Sequence, residues 1–225
     1  MVSTNRMTKK KPKKTYKRKD DDIMNNRGLL FIISGPAGSG KGTIVSRVRE
    51  LAPFEFSVSA TTRSPRPGEI DGVHYHYLTR EQFEEKIASG EMLEHAQYSG
   101  NYYGTPKAPV DKVLGEGKNI ILEIEVQGAL QVKEKMPEAI MIFIMPPDYE
   151  TLLARIRGRG TETEEVIQRR MQQSHFEIDN FENYDYVVVN RTNGVEQAAE
   201  SILAIMNAEK LRTSRNLDIA KNFYN

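Results

Sequence analysis

The chain has 225 residues, 38% hydrophobic and 28% charged, with a formal net charge of +1 and no cysteine. That length suffices to bury one sizeable core, and the lack of cysteine excludes disulfides, thiolate metal sites and a cysteine nucleophile. The longest apolar runs, in GLLFIIS and AIMIFIMPP, fall far short of the ~20 residues needed to span a bilayer, and no apolar signal core follows the basic start, so a cytoplasmic protein without membrane contact is expected.

Residues 1 to 27 carry ten Lys or Arg and three Asp, leaving 22 basic and 28 acidic residues in the remainder. The stretch KKKPKKTYKRKDDD has no apolar periodicity and cannot offset its ordering entropy by burial, so it reads as a disordered extension. A solubilising role is the simpler reading; weak contact with nucleic acid or another polyanion is the alternative. From Gly28 onward strands and helices alternate. LLFIIS is the short continuous apolar run expected of a buried parallel strand, and GTIVSRVREL places Ile44, Val48 and Leu51 on one helical face. Between them lies SGPAGSGKGT. Gly35, Gly40 and Lys41 fit G-x-x-x-x-G-K, in which backbone N–H groups curl around phosphate oxygens, the helix N-terminus adds its dipole and the lysine meets the outer phosphates. The nucleotide loop comprises Gly35, Pro36, Ala37, Gly38, Ser39, Gly40, Lys41, Gly42 and Thr43. The residue after the lysine is Gly42, so the hydroxyl that usually meets Mg²⁺ is displaced to Thr43.

Further along, SVSATTRSPRPGEIDGVHYHY holds Arg63 and Arg66 around Pro65 and Pro67, with Tyr75 shortly after. Two guanidiniums held near each other make a second anion site, since each planar fork can bond two oxygens at once; a solvated basic loop is the alternative. TREQFEEKIASG opens with Thr79 and Gln82 as a capping box and stops at Gly90. In IILEIEVQG the expected strand puts Ile120, Leu122, Ile124 and Val126 on one face and Glu123 and Glu125 on the other, near the strand end where open α/β sheets bind ligands. AIMIFIM and YDYVVV read as further strands, and Asn193 with Glu196 opens a last helix. This alternation predicts an α/β fold with a parallel sheet covered on both faces. His74, His76, His95 and His175 show no metal-ligand spacing.

Four segments, FSVSATTRSPRPGEIDGVHYHY, GEMLEHAQYSGNYYGTP, ILEIEVQGA and RGRGTETEEVIQRR, occur in the order and near the spacing of guanylate kinases. From about Gly28 to about Met206 the chain resembles that family. The resemblance implies a P-loop three-layer α/β fold with a mainly parallel sheet. It also implies a GMP-binding lobe near residues 60 to 109 and a helical lid near 155 to 172, within a domain of residues 28 to 211; residues 212 to 225 form a C-terminal extension. The implied activity is in-line transfer of the γ-phosphate of ATP to GMP, with Mg²⁺ as cofactor.

By the same similarity Arg63, Arg66, Tyr75 and Tyr103 are the holders of the GMP phosphate, and Ser59, Glu94, Thr105 and Glu125 the readers of guanine. The residue types agree, because guanine presents N–H donors that a carboxylate accepts, and a tyrosine hydroxyl can donate to a phosphate oxygen. Tyr75 and Tyr103 can also be read as packing aromatics, the reading favoured for Tyr102. At the Glu125 position the family commonly has Asp. Lys41, Arg155, Arg159 and Arg170 match catalytic positions, suited to a loose transition state that spreads charge over oxygens. Thr43 and Glu123 match positions near the metal, and Asn190 an adenine contact. Arg157, Arg169 and Arg191 read as solvated. Two rival readings are a guanylate-kinase-like binding module, a class that tends to lack an intact phosphate loop, and a kinase of the same fold acting on a sugar phosphate.

Overall fold

A computed structural model of the chain describes residues 27–98, 100–158 and 163–223, with Tyr98 described by its backbone alone. The basic extension before Arg27 and the lid residue Arg159 lie outside the described residues. The elements run β1 (Leu30–Ser34), α1 (Lys41–Leu51), β2 (Glu55–Phe56), β3 (Ala60–Thr61), β4 (His76–Tyr77) and α2 (Arg80–Ala88). They continue with β5 (Met92–Tyr98), β6 (Asn101–Pro106), α3 (Lys107–Gly115), β7 (Ile120–Glu123), α4 (Val126–Lys135) and β8 (Ile140–Met145). After these come α5 (Tyr149–Arg157), α6 (Glu164–Asp179), β9 (Tyr186–Val189) and α7 (Val195–Lys210).

The apolar run of β1 is buried at every position, as a strand covered on both faces requires. It lies at the centre of a parallel sheet ordered β2-β7-β1-β8-β9. Strand alternation sends Phe31, Ile33, Ile121 and Ile142 to one face, where they meet Ile44 and Val48 of α1 and Ala199 and Ile202 of α7. Leu30, Ile32, Leu122 and Met141 go to the other, against Val110 and Leu114 of α3 and Ala129 and Val132 of α4. The α/β P-loop architecture expected from the sequence is therefore present. In α1 the buried face is Ile44, Val45 and Val48, whereas Leu51 is 40% exposed at the last turn.

A second sheet, ordered β4-β3-β6-β5, forms the smaller lobe. Its core is Ala60, Phe83 and Met92, and Tyr102 stacks on Phe83 with ring centroids 5.2 Å apart and planes at 11°. The packing reading of Tyr102 holds. Thr79 and Gln82 close the capping box at the start of α2. The lobe is fastened to α4 by side chains that bond main chain. Gln131 Nε2 donates to the carbonyl of His95 at 3.0 Å and its Oε1 accepts from the His95 N–H at 3.1 Å, so the amide takes the place of a strand neighbour to β5. Lys135 Nζ donates to the Met92 carbonyl.

Two sequence expectations need correction. The strand read through Val126 ends at Glu123, and Glu125 is the N-cap of α4 in an extended conformation. Helical spacing wins there because Val126, Ala129 and Val132 are buried on one face of α4. The helix read as last starts at Val195 with Gly194 as its N-cap, and α8 follows it; Glu196 does not cap but pairs with Arg47 through two bonds of 2.7 and 2.9 Å. The helix containing Arg170 runs to Asp179, and its buried stripe Ile167, Met171, Ser174 and Glu177 continues that far. The segment from Thr213 belongs to a separate unit and holds a 3₁₀ turn (Thr213–Arg215) and α8 (Leu217–Phe223). Among the described residues no helix is long and apolar enough to cross a membrane.

Candidate active site

The loop after β1 is shaped by glycines with positive φ. Gly40 has φ +84°, and a Cβ there would lie 2.3 Å from Asn190 Nδ2; at Gly35, φ +152°, a Cβ would meet the Ile144 carbonyl oxygen at 2.3 Å. Only glycine meets both demands at once. The close approach at Gly40 lets Asn190, just beyond β9, donate from Nδ2 to the Ser39 carbonyl at 2.7 Å. Arg155 donates to the Asn190 carbonyl at 3.1 Å, which ties the end of α5 to the same corner. Lys41 Nζ donates to the Gly35 carbonyl at 3.1 Å, curling over the loop. Ser39 Oγ and Asn190 Oδ1 are buried without a hydrogen-bond partner among the described residues. Unsatisfied buried polar atoms are costly, and here they cluster at a helix N-terminus suited to anions.

The second cluster sits on the smaller lobe. Arg63 Nη2 contacts Glu69 Oε1 at 2.9 Å, and the other oxygen of Glu69 accepts from the Arg66 main-chain N–H at 2.7 Å and the Tyr77 hydroxyl at 2.8 Å. The Arg63 guanidinium, followed by the Arg66 N–H, holds the Glu69 carboxyl down to about 2. Glu69 thus braces the arginine segment, a role the sequence did not reveal. The Arg63 guanidinium stands 5.5 Å from the Tyr75 ring centroid, and Tyr75 meets Tyr103 edge-on at 6.2 Å. Arg66 is exposed.

Glu94 on β5 is 6% exposed, and its Oε1 accepts from Thr105 Oγ1 on the neighbouring β6 at 2.6 Å. Burial raises its carboxyl above the ordinary value and the nearby Glu125 adds to this, while the Thr105 bond opposes it. Space for the carboxylate comes from Gly128 on α4, where a Cβ would lie 2.9 Å from Glu94 Oε2. A cavity of about 560 Å³ runs from Arg49 and Phe56 to Ser59, Tyr75, Thr105 and Glu123. Glu123, in its lining, has Oε1 3.5 Å from where a Cβ of Gly42 would stand, at the first turn of α1.

The guanylate kinase family model matches residues 27–209. The chain belongs to the guanylate kinase family. It is 54% identical over 192 residues to a guanylate kinase of Clostridium perfringens (strain SM101 / Type A), covering 85% of this chain and 88% of that protein. With a guanylate kinase of Lactococcus lactis subsp. lactis (strain IL1403) the identity is 52% over 196 residues, 87% of this chain and 95% of the relative. The crystal structure of guanylate kinase from Anaplasma phagocytophilum superposes with a TM-score of 0.70 at 32% identity, covering 88% of this chain and 95% of that one.

The fold places the expected residues in two groups. Gly35 to Thr43, Asn190, Arg155 and Glu123 lie around the loop, and Ser59, Arg63, Tyr75, Tyr103, Glu94 and Thr105 lie on or beside the smaller lobe. Arg170 lies half-buried on α6. Among the described residues no group of three His, Asp or Glu could hold a metal. Mg²⁺ travelling with a nucleotide takes one or two carboxylates and completes its shell from phosphates and water, and Glu123 beside Gly42 is a carboxylate of that chemistry. Gly128 and Gln131 escaped the sequence reading, although both fall in the same helical stretch as the quoted motif ILEIEVQGA.

Proposed function

We propose that the protein transfers the γ-phosphate of ATP to GMP, giving ADP and GDP, in the cytoplasm and by direct in-line displacement without an enzyme-bound intermediate. The observation that carries this reading is an intact phosphate loop after β1 together with, on the smaller lobe, a buried Glu94 carboxylate and a cluster of Arg63, Tyr75 and Tyr103. On the donor side the loop amides and Lys41 hold the β- and γ-phosphates, and the orphan Asn190 Oδ1 accepts from the exocyclic amine of adenine. On the acceptor side Arg63, Arg66, Tyr75 and Tyr103 hold the GMP phosphate, with Arg63 exchanging part of its hold on Glu69 for phosphate oxygens. Glu94 and Glu125 accept from the guanine N–H donors, supported by Ser59 and Thr105. Arg155, Arg159 and Arg170 supply positive charge to the oxygens in transit. Mg²⁺ bound with ATP, near Thr43 and Glu123, would neutralise phosphate charge.

A binding module would have no use for Lys41 and the strained glycines, and a sugar-phosphate kinase none for a buried carboxylate facing N–H donors. A coupled ADP-release assay with ATP and, in turn, GMP, AMP, UMP and ribose phosphate tests the proposal. Turnover is expected with GMP and near background with the rest; equal rates with a sugar phosphate would overturn it.

Gly128 offers a finer check. In Gly128→Ala the new methyl displaces the Glu94 carboxylate, so KM for GMP is expected to rise roughly 10- to 100-fold, as for a group misplaced by about an ångström, with KM for ATP unchanged. Alanine is the better helix former by about 1 kcal/mol, so the melting temperature should not fall. An unchanged KM for GMP would show that the carboxylate needs no such space.

A further inference from the structure

Glu177 on α6 is 5% exposed, and neither the donor contacts nor the acceptor contacts described above use it. Its Oε2 is buried without a hydrogen-bond partner among the described residues. Within electrostatic reach are Lys41 on α1, the main-chain amide of Ala37 in the phosphate loop and Glu125 at the start of α4. Tyr184, just before β9, also feels its charge, and its buried hydroxyl has no hydrogen-bond partner among the described residues. On its own helix the Gln173 amide supports the carboxylate, while His175 and Asp179 are exposed. A buried carboxylate thus lies near a loop built for anions, favoured from a distance by the ammonium that rests on the Gly35 carbonyl.

Burial, followed by the charge of Glu125, pushes the Glu177 carboxyl up to about 7 against the pull of Lys41 and the two amides. Entry of a triphosphate changes this balance in one direction. Several negative charges arrive close by, and Lys41 is drawn to them, so the ionised form of Glu177 loses its support while the neutral form loses nothing. We propose that Glu177 is a positioning residue that takes up a proton from solvent as ATP enters the loop, so that Lys41 turns to the phosphates with a neutral acid, and not a second anion, nearby. The proton returns to solvent when the nucleotide leaves. The proposal rests on the loop being the ATP site.

The sign follows from linkage. A group whose pKa is higher in the complex than in the free protein favours binding at low pH. ATP affinity is full below about pH 7 and falls as pH rises through the free value towards that of the complex. Each pKa unit of difference is worth tenfold.

Calorimetric titration of Mg·ATP into the full chain at pH 7.5, in buffers of different ionisation enthalpy, reads the protons taken up directly. The γ-phosphate of Mg·ATP is already ionised at that pH and does not contribute. Wild type is expected to take up about half a proton, given a free value near 7 and a shift of one unit or more, and to lose about tenfold in affinity between pH 6.5 and 8.5. Glu177→Gln, uncharged throughout, should show near-zero uptake, a flat pH dependence, and ATP binding at pH 8.5 at least as tight as wild type. His175→Gln should keep the wild-type uptake. ATP binding by wild type without proton uptake, or uptake that survives Glu177→Gln, overturns the proposal and leaves the ATP site standing. Failure of wild type to bind ATP at any pH overturns both. The wild-type measurement needs no variant, so a poorly folding Glu177→Gln does not rescue the idea.

Discussion

Lys41→Ala is expected to leave a folded protein whose turnover is lower by roughly 10²-fold or more, the scale of removing one preorganised electrostatic group from a reaction centre. Lys41 is half-buried at the first position of α1 and belongs to none of the apolar clusters; its ammonium rests on the Gly35 carbonyl. Truncation therefore removes little packing. It does remove the full positive charge within SGPAGSGKGT, leaving the loop only its amide dipoles against the outer phosphates. Steady-state turnover with ATP and GMP, beside a thermal melt, checks this. Near-normal turnover in a folded variant would contradict the donor site.

Discrimination between purines should be larger still. A carboxylate facing guanine accepts from N–H donors, whereas facing adenine N1 it meets a lone pair and is left buried and unsatisfied, and sites built in this way reject a mismatched analogue by ~10⁴ or more. AMP should accordingly be a very poor acceptor. Glu94→Gln must present an amide N–H to one guanine donor, so GMP binding should weaken by at least about 1 to 3 kcal/mol, with ATP affinity nearly unchanged. Folding should respond in the opposite sense. Burial raises the Glu94 carboxyl in the folded protein, so its stabilising contribution is fully present only below its unfolded value and is lost as pH rises through the folded value. At neutral pH the uncharged amide should be no less stable than the carboxylate, and a melt at two pH values separates a lost substrate contact from unfolding. If wild type uses AMP as well as GMP, or if the substitution weakens ATP instead, the guanine assignment fails.

How much of this was legible in the sequence depended on how local the cause was. The loop and its flanking strand and helix were legible because a run such as LLFIIS, buried on both faces, leaves a continuous apolar trace. The strands β3 and β4, two residues each, leave none; pairing to β6 and β3 defines them. The end of β7 was misread because Ile124 and Val126 continue an alternation that the helical face of Val126, Ala129 and Val132 overrides. Glu69 was hidden because its three partners are brought to it by a turn. Glu177 did leave a signal. Buried positions 167, 171, 174 and 177 keep helical spacing, so a carboxylate lay on the apolar stripe, beyond the residue where the lid was expected to stop.

The short link from β7 into α4 carries a consequence for how the enzyme can change. Glu123 faces the first turn of the helix behind the phosphate loop, and Glu125, two residues on, acts on the buried Glu94 of β5. Two residues of extended chain span about 6.5 Å, so one piece of covalent backbone sets the distance between the carboxylate beside α1 and the one beside Glu94. An insertion or a slip of register there cannot retune one nucleotide's seat and spare the other. Variation at this link should therefore be tolerated only as exchange of one side chain for another of similar reach, as with glutamate where aspartate is common, while its length stays constant.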